Sequence, residues 1–214
     1  MSFTPHTFPS SPALPYDNAL RARLQTGDVL LCSGSGVFSE LIQQATDSLW
    51  SHVALIVRLD GIDRLLVFES VETWGVRAVP LSRYLTHIEQ GRPYPGGLVV
   101  VRHRTFASSS SAHSIQRMLQ FAVDQFGNAY NRQAIVRIAA RILGNSLQAP
   151  AALRKETSLK EFICSEYVAA CFAQVGVVLT AGDRGYVTPA DFADPHAMEL
   201  IAVLQPLPER NFHM

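Results

Sequence analysis

The sequence predicts an α+β domain in which a block of adjacent strands is bracketed by helices. Three observations predict it. Apolar runs of strand length follow one another between residues 29 and 103, separated by turn residues. Helical spacing frames that block, near 17–25 before it and from 112 onward after it. The 214 residues are 48% hydrophobic and 17% charged, enough apolar material for one sizeable core.

The elements follow in order. Residues 1–16, with four prolines and several serines, read as an irregular lead-in, and 17–214 as a single domain. A short helix is expected over 17–25. The turn Thr26-Gly27-Asp28 leads into VLLCSGS, a buried strand. Helical spacing returns at Phe38, Leu41, Ile42 and Ala45. SHVALIVRL and RLLVFES read as two strands of a hairpin turning at Asp60-Gly61. WGVRAVPL and LVVVRH are further strands. A helix over 112–126 places Ile115, Met118, Leu119, Ala122 and Phe126 on one face, and Gly127 ends it. Residues 131–143 read as helical, with 144–158 a loop or lid. A last helix runs from Cys164 to Gly176, VTPADF follows, and a strand near 199–204 closes the chain.

Composition narrows the function classes. Lysine plus arginine equals aspartate plus glutamate at 18 each, which gives no electrostatic reason to expect nucleic acid as a partner or general adhesion to anionic membranes. No apolar run approaches the ~20 residues of a membrane-spanning helix. The three cysteines, Cys32, Cys164 and Cys171, lack paired metal-ligand spacing and are too sparse for a disulfide framework. No metal and no cofactor is expected. The N-terminus has no basic start followed by an apolar stretch, so the expectation is a protein cytoplasmic as synthesised, without a Sec-type signal, whose export would use a signal-independent secretion system.

Three residues carry chemistry. Cys164 stands where apolar Phe162-Ile163 gives way to a helix, and a helix N-terminus favours a thiolate and offers unpaired N–H groups to an oxyanion. His52 begins a strand after Trp50-Ser51. Glu69 ends the next strand, so an antiparallel hairpin brings both to one end of the sheet, where a carboxylate could orient an imidazolium. Singly, each has an ordinary reading: a buried structural cysteine, a surface hydrogen-bonder, a strand-end charge. Cys32 and Cys171 read as core residues. Ser165 and Glu166 read as caps of the helix start.

Together the motifs TGDVLL, WSHVALIV, VFES, FICSEYVAACF and VTPADF resemble the circularly permuted NlpC-type papain-like cysteine peptidases, the YiiX-like branch, over most of the chain from Gly27 to Phe192. The histidine strand precedes the cysteine helix, the order that marks the permuted group. The resemblance implies a papain-like fold with an antiparallel sheet packed on helices including the nucleophile helix. It implies Cys164 as nucleophile, His52 as base and Glu69 as the polar third residue. Tyr130, in FGNAY, resembles the tyrosine beside the oxyanion in that family, and a packed tyrosine at a helix end is the equal alternative.

The expected activity is hydrolysis of an amide bond in a peptide or cell-wall (peptidoglycan) fragment, through a thioester. Arg77, Arg83 and Arg132 are candidate substrate contacts by location. Some members of the superfamily are antibacterial effectors, which would add an immunity or carrier protein as partner. Two alternatives stand beside this. One is a lipid-directed acyltransferase or thioesterase of the retinol acyltransferase-like type, which asks for an apolar channel at Cys164. For this reading, the segment with Arg132, Arg137 and Arg141 against Ile135, Val136, Ile138 and Ile142 would lie on a membrane. The other is a non-catalytic binding module on the same fold.

Overall fold

The computed structural model describes residues 11–88, 91–109, 111–131, 161–179 and 186–207. Most of the segment expected as a helix over 131–143, the loop 144–158 and Arg132 lie outside them. Residues 11–16 carry no regular structure.

Strand alternation builds the molecule. In β1 (Asp28–Gly34) all seven residues are buried, with Val29 and Leu31 in one apolar layer and Leu30 and Cys32 in the other. β1 pairs with β2 (His52–Leu59) on one side and β5 (Gly96–His103) on the other. With β3 (Arg64–Val71), β4 (Gly75–Pro80) and β8 (Met198–Gln205), the order is β4-β3-β2-β1-β5-β8, antiparallel throughout. This is the α+β sheet that the sequence predicts.

Helices cover both faces. α1 (Asn18–Arg23) is capped by Asp17, whose Oδ1 accepts the Leu20 N–H at 2.9 Å, and Leu20 joins the layer of Leu30 and Cys32. α2 (Val37–Thr46) follows β1. α5 (Ala112–Asp124), capped by Ser111, contributes Met118 and Ala122 to the other layer, together with Val168, Cys171 and Phe172 of α6 (Cys164–Ala173). Two six-residue helices were not foreseen: α3 (Leu81–Thr86) and α4 (Arg104–Ser109). Elements that short carry too few turns for a periodic pattern.

The hairpin between β2 and β3 turns at Asp60-Gly61, as the sequence predicts. The pair Leu59↔Arg64 leaves four residues between the strands, and these form a 3-10 turn at Asp60–Ile62. Asp63 closes the turn in the left-handed conformation (φ 47°), held by Arg58 and Arg21.

Gly75, by contrast, is required where it stands. It has φ 64°, and a Cβ there would lie 2.1 Å from the Asn128 carbonyl oxygen. The close approach lets Val76 and Gly127–Asn128 exchange two backbone hydrogen bonds of 2.9 Å. Two-residue β6 (Ala129–Tyr130) follows at once and pairs in parallel with β7 (Glu161–Phe162), directly before Cys164. The same contact thus brings Tyr130 toward the start of α6.

Candidate active site

Cys164 is the first residue of α6, after Ile163 in extended conformation. Its position leaves the first N–H groups of the helix without intrahelical partners. The Ile163 N–H donates to Glu166 Oε2 at 3.4 Å, so Glu166 caps the helix as expected. Ser165 does not. Its Oγ donates to the Val187 carbonyl at 2.7 Å and ties the helix start to the following turn. That turn, Pro189–Ala193, is closed by Asp191 Oδ2, which accepts the Thr188 N–H at 2.7 Å and the Thr188 hydroxyl at 2.8 Å. VTPADF is therefore a brace beside the cysteine helix.

His52 opens β2. Ser51 fixes that start: its N–H donates to the Cys32 carbonyl at 3.0 Å, and its Oγ accepts the Gly34 N–H at 3.0 Å. His52 Nε2 lies 2.9 Å from Glu69 Oε2, so the two residues expected at one end of the sheet meet there. Cys164 is near enough to the same imidazole to raise its pKa, and with Nε2 engaged, Nδ1 is the nitrogen left for the sulfur. Burial disfavours the charged ring, but the hydrogen bonds and charges of Cys164 and Glu69 outweigh it. The His52 pKa is pushed up to about 10.

Glu69 is fully buried and held at both oxygens. Arg77 Nε and Nη2 each lie 2.8 Å from Oε1, across the register pair Glu69↔Arg77. The Tyr84 hydroxyl on α3 donates to Oε2, beside His52. Burial pushes the Glu69 carboxyl up; His52, Arg77 and Tyr84 together hold it below the ordinary value. Burial and the Glu69 charge push the Tyr84 phenol up, so it stays a donor. Arg77 was foreseen as a substrate contact, and its first partner is Glu69. Tyr84 was not foreseen at all. Arg83, the other described arginine of that set, is exposed on α3 and does not line the cleft.

Tyr130 lines the cleft with Cys164 and packs on Ile163, as does Ile42. Burial and then the Cys164 charge raise its pKa, keeping the phenol neutral and able to donate. All three cysteines are buried, Cys164 being 3% exposed at the floor of the cleft. Cys32, beside His52 in register, is pushed up by burial and by the Glu69 and Cys164 charges; burial pushes Cys171 up to about 12. Among the described residues, no group of three or more His, Cys, Asp or Glu side chains is placed to hold a metal ion. None of the described helices is long and apolar enough to cross a membrane.

Cys164 faces two spaces. A cleft of about 550 Å³ is lined by His52, Glu72, Trp74, Arg77 and Tyr130 among others. A small apolar slot of about 30 Å³ lies among Ile42, Ala45, Ile163, Val187 and Pro189. A thiol beside an anchored imidazole, at a helix N-terminus and bordering a cleft, has the parts needed for acyl transfer through a thioester.

Comparison with known proteins bears on the same features. Residues 23–140, more than half of the chain, match the model of the permuted papain-like amidase enzyme, YaeF/YiiX, C92 family. His52, Glu69 and Tyr130 lie in that span, and Cys164 lies beyond it. Among solved structures, the chain is similar to the metalloprotein YiiX from Escherichia coli O157:H7, with a TM-score of 0.52 and 21% identity over 86% of this chain and 89% of that one. At that identity the likeness is one of fold, and "metalloprotein" describes the neighbour. No curated protein matches the chain. The sheet, its helices and the matched span agree: the chain belongs to the permuted papain-like amidase family, YaeF/YiiX, C92.

Proposed function

We propose that this protein is a cysteine amide hydrolase acting on peptidoglycan peptides through a Cys164–His52–Glu69 triad. The observation that carries the reading is the His52 imidazole, anchored on Glu69 at 2.9 Å and raised in pKa by the neighbouring Cys164.

With the proton on His52, Cys164 stands as thiolate in an ion pair. The sulfur attacks the amide carbonyl; the S–C bond forms and the carbonyl electrons move to oxygen. The Cys164 N–H and the Tyr130 hydroxyl donate to that oxyanion. Collapse breaks the C–N bond, and the amine leaves with the proton from His52. Water then gives a proton to neutral His52 and attacks the thioester. Ejection of the thiolate releases the acid and restores the pair. Glu69 keeps the ring oriented throughout.

The space around Cys164 favours an amide substrate over a lipid. The apolar slot beside Cys164 is the smaller of the two spaces. The larger cleft offers Ser39, Ser70, Thr73, Glu72 and Arg77. On this reading, a role as an antibacterial effector requires delivery to the wall, with an immunity or carrier protein as partner.

Digestion of purified peptidoglycan, with fragments read by mass spectrometry, tests the hydrolase. Wild type releases new peptide fragments and Cys164→Ala releases none. Identical digests sink the proposal.

A further inference from the structure

Arg77 spends only part of its guanidinium on Glu69. Nε and Nη2 both converge on Oε1 at 2.8 Å, because Oε2 is occupied by His52 and Tyr84. Nη1, with its two N–H groups, has no partner among the described residues. The Arg77 side chain is 28% exposed and lines the same cleft as Cys164 and His52. Glu69 is thus shared between the guanidinium and the imidazolium, which Cys164 also faces. The acid of the cleft, Glu72, makes its charge felt at Tyr130. An anion entering the cleft meets its favourable field at Arg77.

We propose that Arg77 is a specificity residue, whose free Nη1 edge binds a carboxylate that the substrate carries beside the scissile amide. A guanidinium fixed by one carboxylate is pre-oriented for a second, and the resulting charge-assisted hydrogen bonds lose less side-chain freedom than those of an unanchored arginine. Amidating that carboxylate removes the charge and sets an N–H group against a donor. The expected preference for the free acid is roughly 10- to 100-fold. The inference deepens the hydrolase reading and rests on it.

The test uses the peptide L-Ala-γ-D-Glu-L-Lys and its counterpart with the glutamyl α-carboxylate converted to carboxamide. Binding is measured by calorimetry on Cys164→Ala, and cleavage on protein with Cys164 intact. The free acid is preferred about 10- to 100-fold in both. Arg77→Gln reduces that preference to about twofold or less while slowing cleavage of both peptides alike through Glu69; Arg77→Lys retains part of it. Equal handling of the two peptides by wild type overturns the proposal whatever the variants do. So does a preference that survives Arg77→Gln. If wild type cleaves neither peptide, but Cys164→Ala binds the acid with a preference that Arg77→Gln abolishes, recognition stands and hydrolysis falls. If Cys164→Ala binds neither, recognition falls.

Discussion

Asp28 at the start of β1 and Glu69 near the end of β3 are carboxylates of one sheet, 1% and 0% exposed, and each faces an arginine across an antiparallel pair. Arg102 donates to Asp28 at 2.6 Å and 2.9 Å, a true fork across both oxygens. Arg77 reaches only one oxygen of Glu69. Yet the better-forked pair has the raised carboxyl: at Asp28, burial outweighs Arg102. At Glu69, burial is overcome by His52, Arg77 and Tyr84 together. A single arginine does not offset the desolvation of a carboxylate, whereas an imidazole, a guanidinium and a phenol do. The imidazole separates a pair that closes the sheet from a group equipped for chemistry.

The comparison breaks most visibly in activity. Glu69→Gln keeps the shape but removes the charge facing His52, and kcat is expected to fall roughly 10²- to 10⁴-fold. Asp28→Asn is expected to leave kcat within about twofold and to cost about 1–2 kcal/mol in denaturant unfolding. Equal losses of activity would erase the distinction.

Tyr84→Phe sharpens it. The phenol donates to the buried Glu69 oxygen beside His52, so its loss leaves that oxygen with one donor fewer. Stability is expected to fall by about 1–3 kcal/mol and kcat by roughly tenfold, with the Glu69 carboxyl moving upward. Full activity in Tyr84→Phe would show that Arg77 and His52 suffice.

The smallest effect is in acid. The depressed Glu69 carboxyl contributes stability above its unfolded value of about 4.5, and this is lost as pH falls through the folded value. Asp28 has the opposite sign. Its raised carboxyl contributes below the unfolded value of about 3.8 and loses that contribution as pH rises through the folded value. Thermal midpoints between pH 3 and pH 8 are therefore expected to show Glu69→Gln less costly in acid than at neutrality, and Asp28→Asn more costly in acid than at neutrality. The differences amount to a few degrees.

Much of this arrangement is legible in the sequence because it rests on strand parity. SHVALIVRL and RLLVFES read as two antiparallel strands, and the register set by the four residues between them brings His52 and Glu69 together. The turn at Asp60-Gly61 falls between the strands as the sequence places it. The same parity held an unused signal: a register joining Val71 to Gly75 also joins Glu69 to Arg77. Tyr84 gave no signal, because α3 spans six residues and reaches Glu69 only through tertiary packing. Ser165 reads as a cap from local sequence, but its hydroxyl found the Val187 carbonyl, 22 residues on. Local rules place elements and caps. They do not see which carbonyl a fold brings alongside.

The central claim is that Cys164, His52 and Glu69 form one coupled unit. It is tested most directly, and without any substrate, by NMR titration of the His52 ring in wild type, Cys164→Ala and Glu69→Gln. A pKa raised by its neighbours means that His52 contributes stability below its unfolded value of about 6.5 and loses it as pH rises toward about 10. The expected result is a wild-type ring that stays protonated through neutral pH and titrates near 10, with a clear fall in each variant. A ring that titrates near 6.5 in all three proteins would contradict the unit, and with it the hydrolase built upon it.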